Sequence, residues 1–297
     1  MNLIEIIAGT ALNGVSRASG RLAGAGAYTL FHMPLARSGM RDSERGLFAA
    51  ARTERIKVGG KSAVTYRWGG GERPVVLVHG WQSRASRFAD FVPGLIERGH
   101  SVIAFDAPGH GDSTGRSTTV LEYRDILCEL QHRYGDFDAL IAHSLGVVGS
   151  FFALRSGVRA ERIVALSGVC DYAYLVEEFS SALNLRPALK SALLDRIGQN
   201  LFPGMPVDRV PFSAVHTTED ITAPILVLHD EDDSRIKVTQ GRRLADAFGD
   251  RARLVTTRGL GHRRILGDPE IIRAVVEFVE HGPVGATMPQ SAGHPVA

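Results

Sequence analysis

Residues 138–146 constrain the fold of this chain more tightly than any other stretch. An apolar run, Asp138-Ala139-Leu140-Ile141-Ala142-His143, leads into Ser144-Leu145-Gly146, and Val147, Val148, Phe151, Phe152 and Leu154 then recur at helical spacing. The pattern predicts a strand, a very tight turn and a helix, with Ser144 at the apex. Ala142-His143-Ser144-Leu145-Gly146 has the G-x-S-x-G spacing of a nucleophile elbow, with Ala142 in place of the first glycine. Small residues two positions either side of the serine let strand and helix approach while the serine holds a strained backbone conformation. Such a turn pushes the hydroxyl out at the C-terminal edge of a sheet and aims helix N-terminal N–H groups at the same space. A buried strand-to-helix turn with no chemistry fits the same five residues, so the rest of the chain must distinguish the two.

Flanking segments place the turn in a repeating context. Arg55 to Val58 and Ala63 to Trp68 read as short strands joined through Gly59-Gly60-Lys61, a hairpin signal. Pro74-Val75-Val76-Leu77-Val78-His79 is a continuous apolar run of the kind buried on both faces of a sheet. A helical pattern through Phe88, Phe91, Val92, Leu95 and Ile96 follows, then a strand from Ser101 to Phe105 and a helix from Val120 to Tyr134. After the elbow and its helix comes a strand from Arg162 to Leu166. This alternation predicts a mainly parallel sheet with right-handed crossovers. It pauses after Gly168, where Tyr172, Leu175, Val176 and Phe179, then Leu189, Leu193, Ile197 and Leu201, form two helical stripes, the second opened by Pro187. Helices inserted there either cap the C-terminal edge of the sheet or extend the core. A strand through Pro224 to His229, a helix from Val238 to Phe248, a strand from Arg253 to Thr256 and a helix from Ile271 to Val279 then resume the pattern.

Composition narrows the function classes. A chain of 297 residues holds one large α/β domain or two small ones. The 34 Lys and Arg against 32 Asp and Glu leave a net charge of +2 with no basic block, so no field favours nucleic acid. Two cysteines, Cys128 and Cys170, exclude a disulfide scaffold and suit a reducing cytoplasm. No run reaches the roughly 18 apolar residues of a transmembrane span. Met1 to Leu12 is apolar, but it carries Glu5 and lacks a basic n-region, which argues against a signal peptide. Leu3, Ile7, Ala11, Gly14 and Ala18 fall at helical spacing. They predict an N-terminal helical leader over 1–52, either docked on the body or making a peripheral membrane or dimer contact. Gly24-Ala25-Gly26 has no strand before it and is not a dinucleotide loop. The Pro, Gly, Ala and Ser content of 282–297 predicts a disordered tail.

A serine hydroxyl is a weak nucleophile that needs a base within hydrogen-bond reach and a third group to orient that base. In an open α/β sheet such groups gather on loops after strand C-termini. His262, in Gly259-Leu260-Gly261-His262, follows the last strand, and Asp233, in His229-Asp230-Glu231-Asp232-Asp233, follows the preceding one. The chain order Ser, Asp, His is the one expected for this architecture. His79-Gly80-Trp81-Gln82 follows the third strand, where a backbone N–H can join that of Leu145 in an oxyanion hole. Asp106-Ala107-Pro108-Gly109-His110-Gly111-Asp112-Ser113 forms a tight, glycine-rich bend.

Five motifs in this order, over Arg55 to His281, resemble the α/β-hydrolase superfamily of serine hydrolases. Within it the chain is most similar to the bacterial esterase, monoglyceride-lipase and C–C hydrolase group that carries a D-x-P-G-H-G-x-S bend. The resemblance implies an α/β-hydrolase fold, a mostly parallel central sheet flanked by helices. Its core would span 53–168 and 212–281, with a small helical cap, 169–211, inserted before the strand that carries the acid. It also implies Ser144 as nucleophile, His262 as general base, Asp233 as the acid that orients His262, and the backbone N–H groups of Trp81 and Leu145 as oxyanion donors. No cofactor and no metal is expected. Ala142 departs from the family's first elbow glycine, and Asp230 from the glycine that commonly follows the strand's histidine. Asp233 is preferred because the family places its acid four residues after that histidine, with Asp232 the second choice. The acidic cluster lacks the glycine turn and ligand alternation of a calcium loop. His79 and His229 read as satisfying backbone at strand ends, and His143 as structural on the opposite side of its strand. His110 reads as a support of the oxyanion loop or a bystander, and Cys170 as a small buried hydrophobe.

The chemistry implied is acyl transfer on a small-molecule carboxylic ester with a hydrophobic acyl or alkyl part. Tyr172, Tyr174, Leu175, Phe179 and Leu183 of the inserted helices, with Gln82, are expected to line an apolar pocket. Ser144 at the elbow argues against a haloalkane dehalogenase or an epoxide hydrolase, which need a carboxylate there. A C–C hydrolase, thioesterase, amidase or perhydrolase uses the same triad. A non-catalytic small-ligand receptor on the same fold is the alternative of a different class.

Overall fold

The computed structural model describes residues 3–203 and 213–282. Its centre is one eight-stranded sheet in the order β1-β2-β4-β3-β5-β6-β7-β8. The strands are β1 (Arg52–Val58), β2 (Lys61–Trp68), β3 (Pro74–Val78), β4 (Ser101–Asp106), β5 (Phe137–His143), β6 (Ala160–Leu166), β7 (Ile225–Asp230) and β8 (Ala252–Thr257). Pairing is antiparallel for β1 with β2 and β2 with β4, and parallel from β4 across to β8. The chain leaves β3 for β4 on one side and reaches β5 on the other. The strand order therefore reverses beside β3, and a crevice opens at the C-terminal ends of β3 and β5.

The central strands are buried on both faces, so consecutive residues feed two different cores. Val76 and Val78 of β3 join one core with Leu140 and Ala142 of β5, while Val75 and Leu77 join the other with Ala139 and Ile141. The first layer is closed by α5 (Val120–Tyr134), α6 (Leu145–Arg155) and α9 (Val238–Phe248). The second is closed by α3 (Asp42–Ala49), α4 (Val92–Glu97) and α11 (Pro269–His281). Local signals set the helix starts. Thr119 and Glu122 form a capping box on α5, and Asp268 accepts the Glu270 and Ile271 N–H groups at the start of α11. The apolar pattern from Phe88 to Ile96 is broken into a 3₁₀ turn, Ala85–Phe91, followed by α4. Pro93 is the reason, because its missing N–H is tolerated only in the first turn of a helix.

Two helices, α7 (Tyr172–Ala182) and α8 (Pro187–Leu201), lie between β6 and β7, opened by the Asp171 side chain and by Pro187 respectively. The N-terminal segment packs on this pair. It forms α1 (Leu3–Ala18) and α2 (Gly20–Phe31), with Gly24 of α2 against Ala192 of α8 and Gly9 of α1 against the Leu183 carbonyl. Asn13 bonds the Asn184 carbonyl at 2.8 Å and accepts the Arg186 N–H at 3.0 Å. The apolar stripe of α1 does not make this contact: Ile7, Ala11, Gly14 and Ala18 all face outward. Among the described residues no helix is long and apolar enough to cross a membrane. The end of the insertion expected through 211 and the tail beyond Gly282 lie outside the described residues.

Candidate active site

Ser144 sits between β5 and α6 with φ 56° and ψ −123°, a strained conformation for a residue with a side chain. Backbone bonds hold it there: its N–H donates to the Leu166 carbonyl at 3.0 Å, and its carbonyl accepts the N–H groups of Val147 and Val169. Gly146 explains the need for a small residue on the helix side. A Cβ there would lie 2.5 Å from the Val78 carbonyl oxygen and 2.8 Å from that of His79, so a methyl group would drive α6 off β3. On the strand side Ala142 is buried in the core, and its methyl group is accommodated.

His262 opens out of α10 (Gly261–Arg264), just after β8. Its Nε2 lies 3.1 Å from Ser144 Oγ and its Nδ1 2.8 Å from Asp233 Oδ2. The Asp233 side chain is fully buried. Its other oxygen accepts the N–H groups of Arg235 at 2.8 Å and Ile236 at 2.9 Å. Burial alone would raise this carboxyl, but hydrogen bonds from His262 and from the Ile236 N–H outweigh it and hold the group below the usual carboxylate range. With Nδ1–H donated to that carboxylate, Nε2 is left as the acceptor facing the serine hydroxyl.

The neighbouring acids take different partners. Asp232 Oδ2 accepts the Gly259 N–H at 2.9 Å, and Asp230 Oδ2 accepts the Leu260 N–H at 3.0 Å and the Thr257 hydroxyl at 2.7 Å. Asp230 and Asp232 thus pin the loop that delivers His262, while Asp233 meets the ring. Asp230 in place of glycine is the signal in the sequence, but the period of a loop does not disclose its partners.

Four further histidines frame the site, each held below its ordinary value chiefly by burial. His143 donates through Nε2 to the His262 carbonyl at 2.8 Å, with ring centroids 4.7 Å apart, so it contacts the histidine loop directly. Burial, then the proximity of His262, pushes it down to about 3. His229 donates to the Ile236 carbonyl at 2.8 Å and shapes the Asp233 turn. His79 donates through Nδ1 to the Gly80 carbonyl at 2.7 Å and accepts the Ala107 N–H at 3.0 Å. His110 accepts the Gln82 N–H at 3.1 Å through Nε2. The structure therefore assigns His110 a support role in the loop after β3. That loop runs against the serine, since a Cβ on Gly80 would stand 2.6 Å from Ser144 Cβ. Trp81, one residue before Gln82, lies in the same loop. Leu145 opens α6, where first-turn N–H groups have no intrahelical acceptor.

A cavity of about 420 Å³ leads away from Ser144 and His262. Trp81, Leu145, Gln82, Tyr172, Leu175, Phe179 and Leu183 all border it. Tyr174 does not: its hydroxyl reaches the Arg235 carbonyl at 3.5 Å and takes the Lys237 N–H at 3.3 Å. Cys170 is buried outside the cavity. Sequence reasoning missed the wall formed by Phe31, His32, Met33 and Leu35 at the end of α2. Nothing in that stretch distinguishes a pocket wall from an ordinary helix end. Within the cavity the Tyr172 hydroxyl and His32 Nε2 lie 3.2 Å apart. Among the described residues no group of three His, Cys, Asp or Glu side chains is arranged to hold a metal.

Comparison with known proteins places the fold. A sequence model of the alpha/beta hydrolase family matches residues 75–275. A non-heme chloroperoxidase of Kitasatospora aureofaciens is 36% identical over 85 residues, 27% of this chain and 30% of that one. A non-heme haloperoxidase of Rhodococcus erythropolis is 22% identical over 266 residues, 72% of this chain and 94% of its own. The alignments with the chloroperoxidase and with a probable serine hydrolase of Drosophila melanogaster span under a third of those relatives' lengths. Among solved structures, an esterase of Pyrococcus furiosus matches with a TM-score of 0.60 at 20% identity, over 84% of this chain and 97% of that one. A monoacylglycerol lipase of Paleococcus ferrophilus matches with a TM-score of 0.55 at 24% identity, over 77% and 98%. At these identities the likeness is one of fold.

Proposed function

Because the chain belongs to the alpha/beta hydrolase family, we propose that it is a serine hydrolase that cleaves a carboxylic ester through an acyl-enzyme. The observation that carries this reading is the unbroken chain from Ser144 Oγ through the His262 ring to the buried Asp233 carboxylate, at 3.1 and 2.8 Å. In this mechanism His262 Nε2 takes the Ser144 proton as the oxygen attacks the ester carbonyl. Asp233 fixes the tautomer and stabilises the imidazolium that forms. The Trp81 and Leu145 N–H groups hold the developing oxyanion, each donor worth roughly 3 kcal/mol in the transition state. His262 then gives its proton to the leaving alcohol, and a water deprotonated by the same nitrogen releases the acid.

The cavity wall favours an ester with a hydrophobic acyl or alkyl part, since Phe31, Leu175, Phe179 and Leu183 border the space beside the serine. The unpaired thiols of Cys128 and Cys170 agree with a reducing cytoplasm. Hydrolysis of a p-nitrophenyl ester series of rising chain length tests the reading. The rate should rise with chain length until the cavity is filled, and Ser144→Ala should lower kcat by about 10⁶-fold. Equal turnover by Ser144→Ala and the unsubstituted protein would rule out serine acyl transfer.

A further inference from the structure

The outer side of α1 reverses the usual arrangement of a surface helix. A helix docked on a soluble protein buries its apolar stripe and gives charge to water. Here Gly9, Leu12 and Asn13 face the body, while Ile6, Ile7, Ala11, Val15 and Ala18 face outward. The exposed large hydrophobic residues of the described chain are Ile6, Ile7, Val15, Leu22 and Leu35, at 44–66% exposure. All five fall within thirty residues of one another, in one helical hairpin and the loop that follows it. Scattered apolar exposure is ordinary, whereas concentration in a single element marks a contact surface.

Two further observations identify what covers it. Over α1, α2 and the loop after them as far as Gly39 the charged residues are Glu5, Arg17, Arg21 and Arg37, of which Arg17 and Arg21 are exposed and neither is paired with a carboxylate among the described residues. An apolar helix face with unneutralised arginines matches the boundary of an anionic bilayer. A second copy of the same face would also bury the apolar residues, but it supplies no carboxylate other than Glu5 to meet these arginines. The apolar surface is also continuous with the cavity: Leu35 is 51% exposed and borders the cavity, as do Glu5 and Ala8 of α1.

We propose that the α1–α2 hairpin seats the protein on an anionic phospholipid surface, so that apolar ester substrate passes from the lipid along Ile7 and Leu35 into the cavity. The delivery step rests on the ester-hydrolase reading; the docking step does not. Flotation of the full chain with vesicles of phosphatidylcholine alone, and of equal phosphatidylcholine and phosphatidylglycerol, tests the docking. The expected result is binding to the mixed vesicles, weakened by salt. Arg17→Gln and Arg21→Gln should each lower it about fivefold, and Ile7→Glu with Leu22→Glu at least about tenfold. The Glu variants should keep the original thermal unfolding and the turnover of a short water-soluble ester while losing turnover of an ester embedded in the vesicles. Absence of flotation, or flotation unchanged in the Glu variants, overturns the proposal. A two-copy mass by light scattering that Ile7→Glu halves, without flotation, assigns the face to a dimer and overturns it equally. Flotation without hydrolysis would leave the docking intact and count against the ester-hydrolase reading alone.

Discussion

Asp232 and Asp233 are adjacent, yet only Asp233 meets a ring nitrogen of His262, at 2.8 Å, while Asp232 holds the Gly259 N–H. The two carboxylates therefore differ in what their loss removes. Asp233→Asn presents an amide that can donate to Nδ1 and so favours the wrong tautomer, and it should lower kcat by about 10⁴-fold. Asp232→Asn keeps an oxygen for the Gly259 N–H and should cost less than about tenfold. Steady-state kinetics on p-nitrophenyl butyrate separates them, and equal losses would contradict the assignment. The sequence carried this choice only through spacing, because both acids follow the same strand by nearly the same distance. What separates them is the turn in which Asp233 Oδ1 accepts the Arg235 and Ile236 N–H groups, and that turn becomes visible only in three dimensions.

At the scale of elements, the strands were the most legible part. Apolar runs such as Pro74 to Val78 and Leu140 to His143 have the composition of strands buried on both faces, and they pair in register, Val78 opposite Ala142. The elbow was legible for a steric reason, since Gly146 lies against the Val78 and His79 carbonyls. Helix periodicity was less informative. It located an apolar stripe on α1 but not the direction in which that stripe points, because spacing defines a face and packing decides what the face meets. The same limit hid the contribution of Phe31, His32 and Met33 to the cavity, which depends on α2 folding back over α7 and α8. Pro93 shows the converse, a single residue that divides one apolar pattern into a 3₁₀ turn and a short helix.

At the scale of the whole molecule, the buried histidines make stability depend on pH. Burial, joined by a neighbouring ring for His110 and His143, pushes His79 down to about 4 and His110 and His143 down to about 3. In the unfolded chain each takes up a proton near its ordinary value of about 6.5. Below that pH the unfolded state binds more protons than the fold. The stability these rings allow is therefore complete above about 6.5 and falls as pH drops toward 4, by up to about 1.4 kcal/mol per pH unit for each ring. Urea unfolding followed from about pH 7 to 5 should show this slope, reduced in His143→Gln. A flat profile over that range would show that the rings are not held neutral.

The sheet, with the crevice beside β3 and β5, brings Ser144, His262 and Asp233 together from three separate stretches of chain. Ser144 is proposed as the nucleophile of that set. Covalent labelling with a fluorophosphonate, followed by peptide mapping, addresses it most directly, because the reagent reports an activated serine without any assumption about substrate. A single adduct on Ser144 is expected, lost in Ser144→Ala and strongly slowed in Asp233→Asn. A folded protein that takes no label at Ser144, or that labels equally after Asp233→Asn, would contradict it.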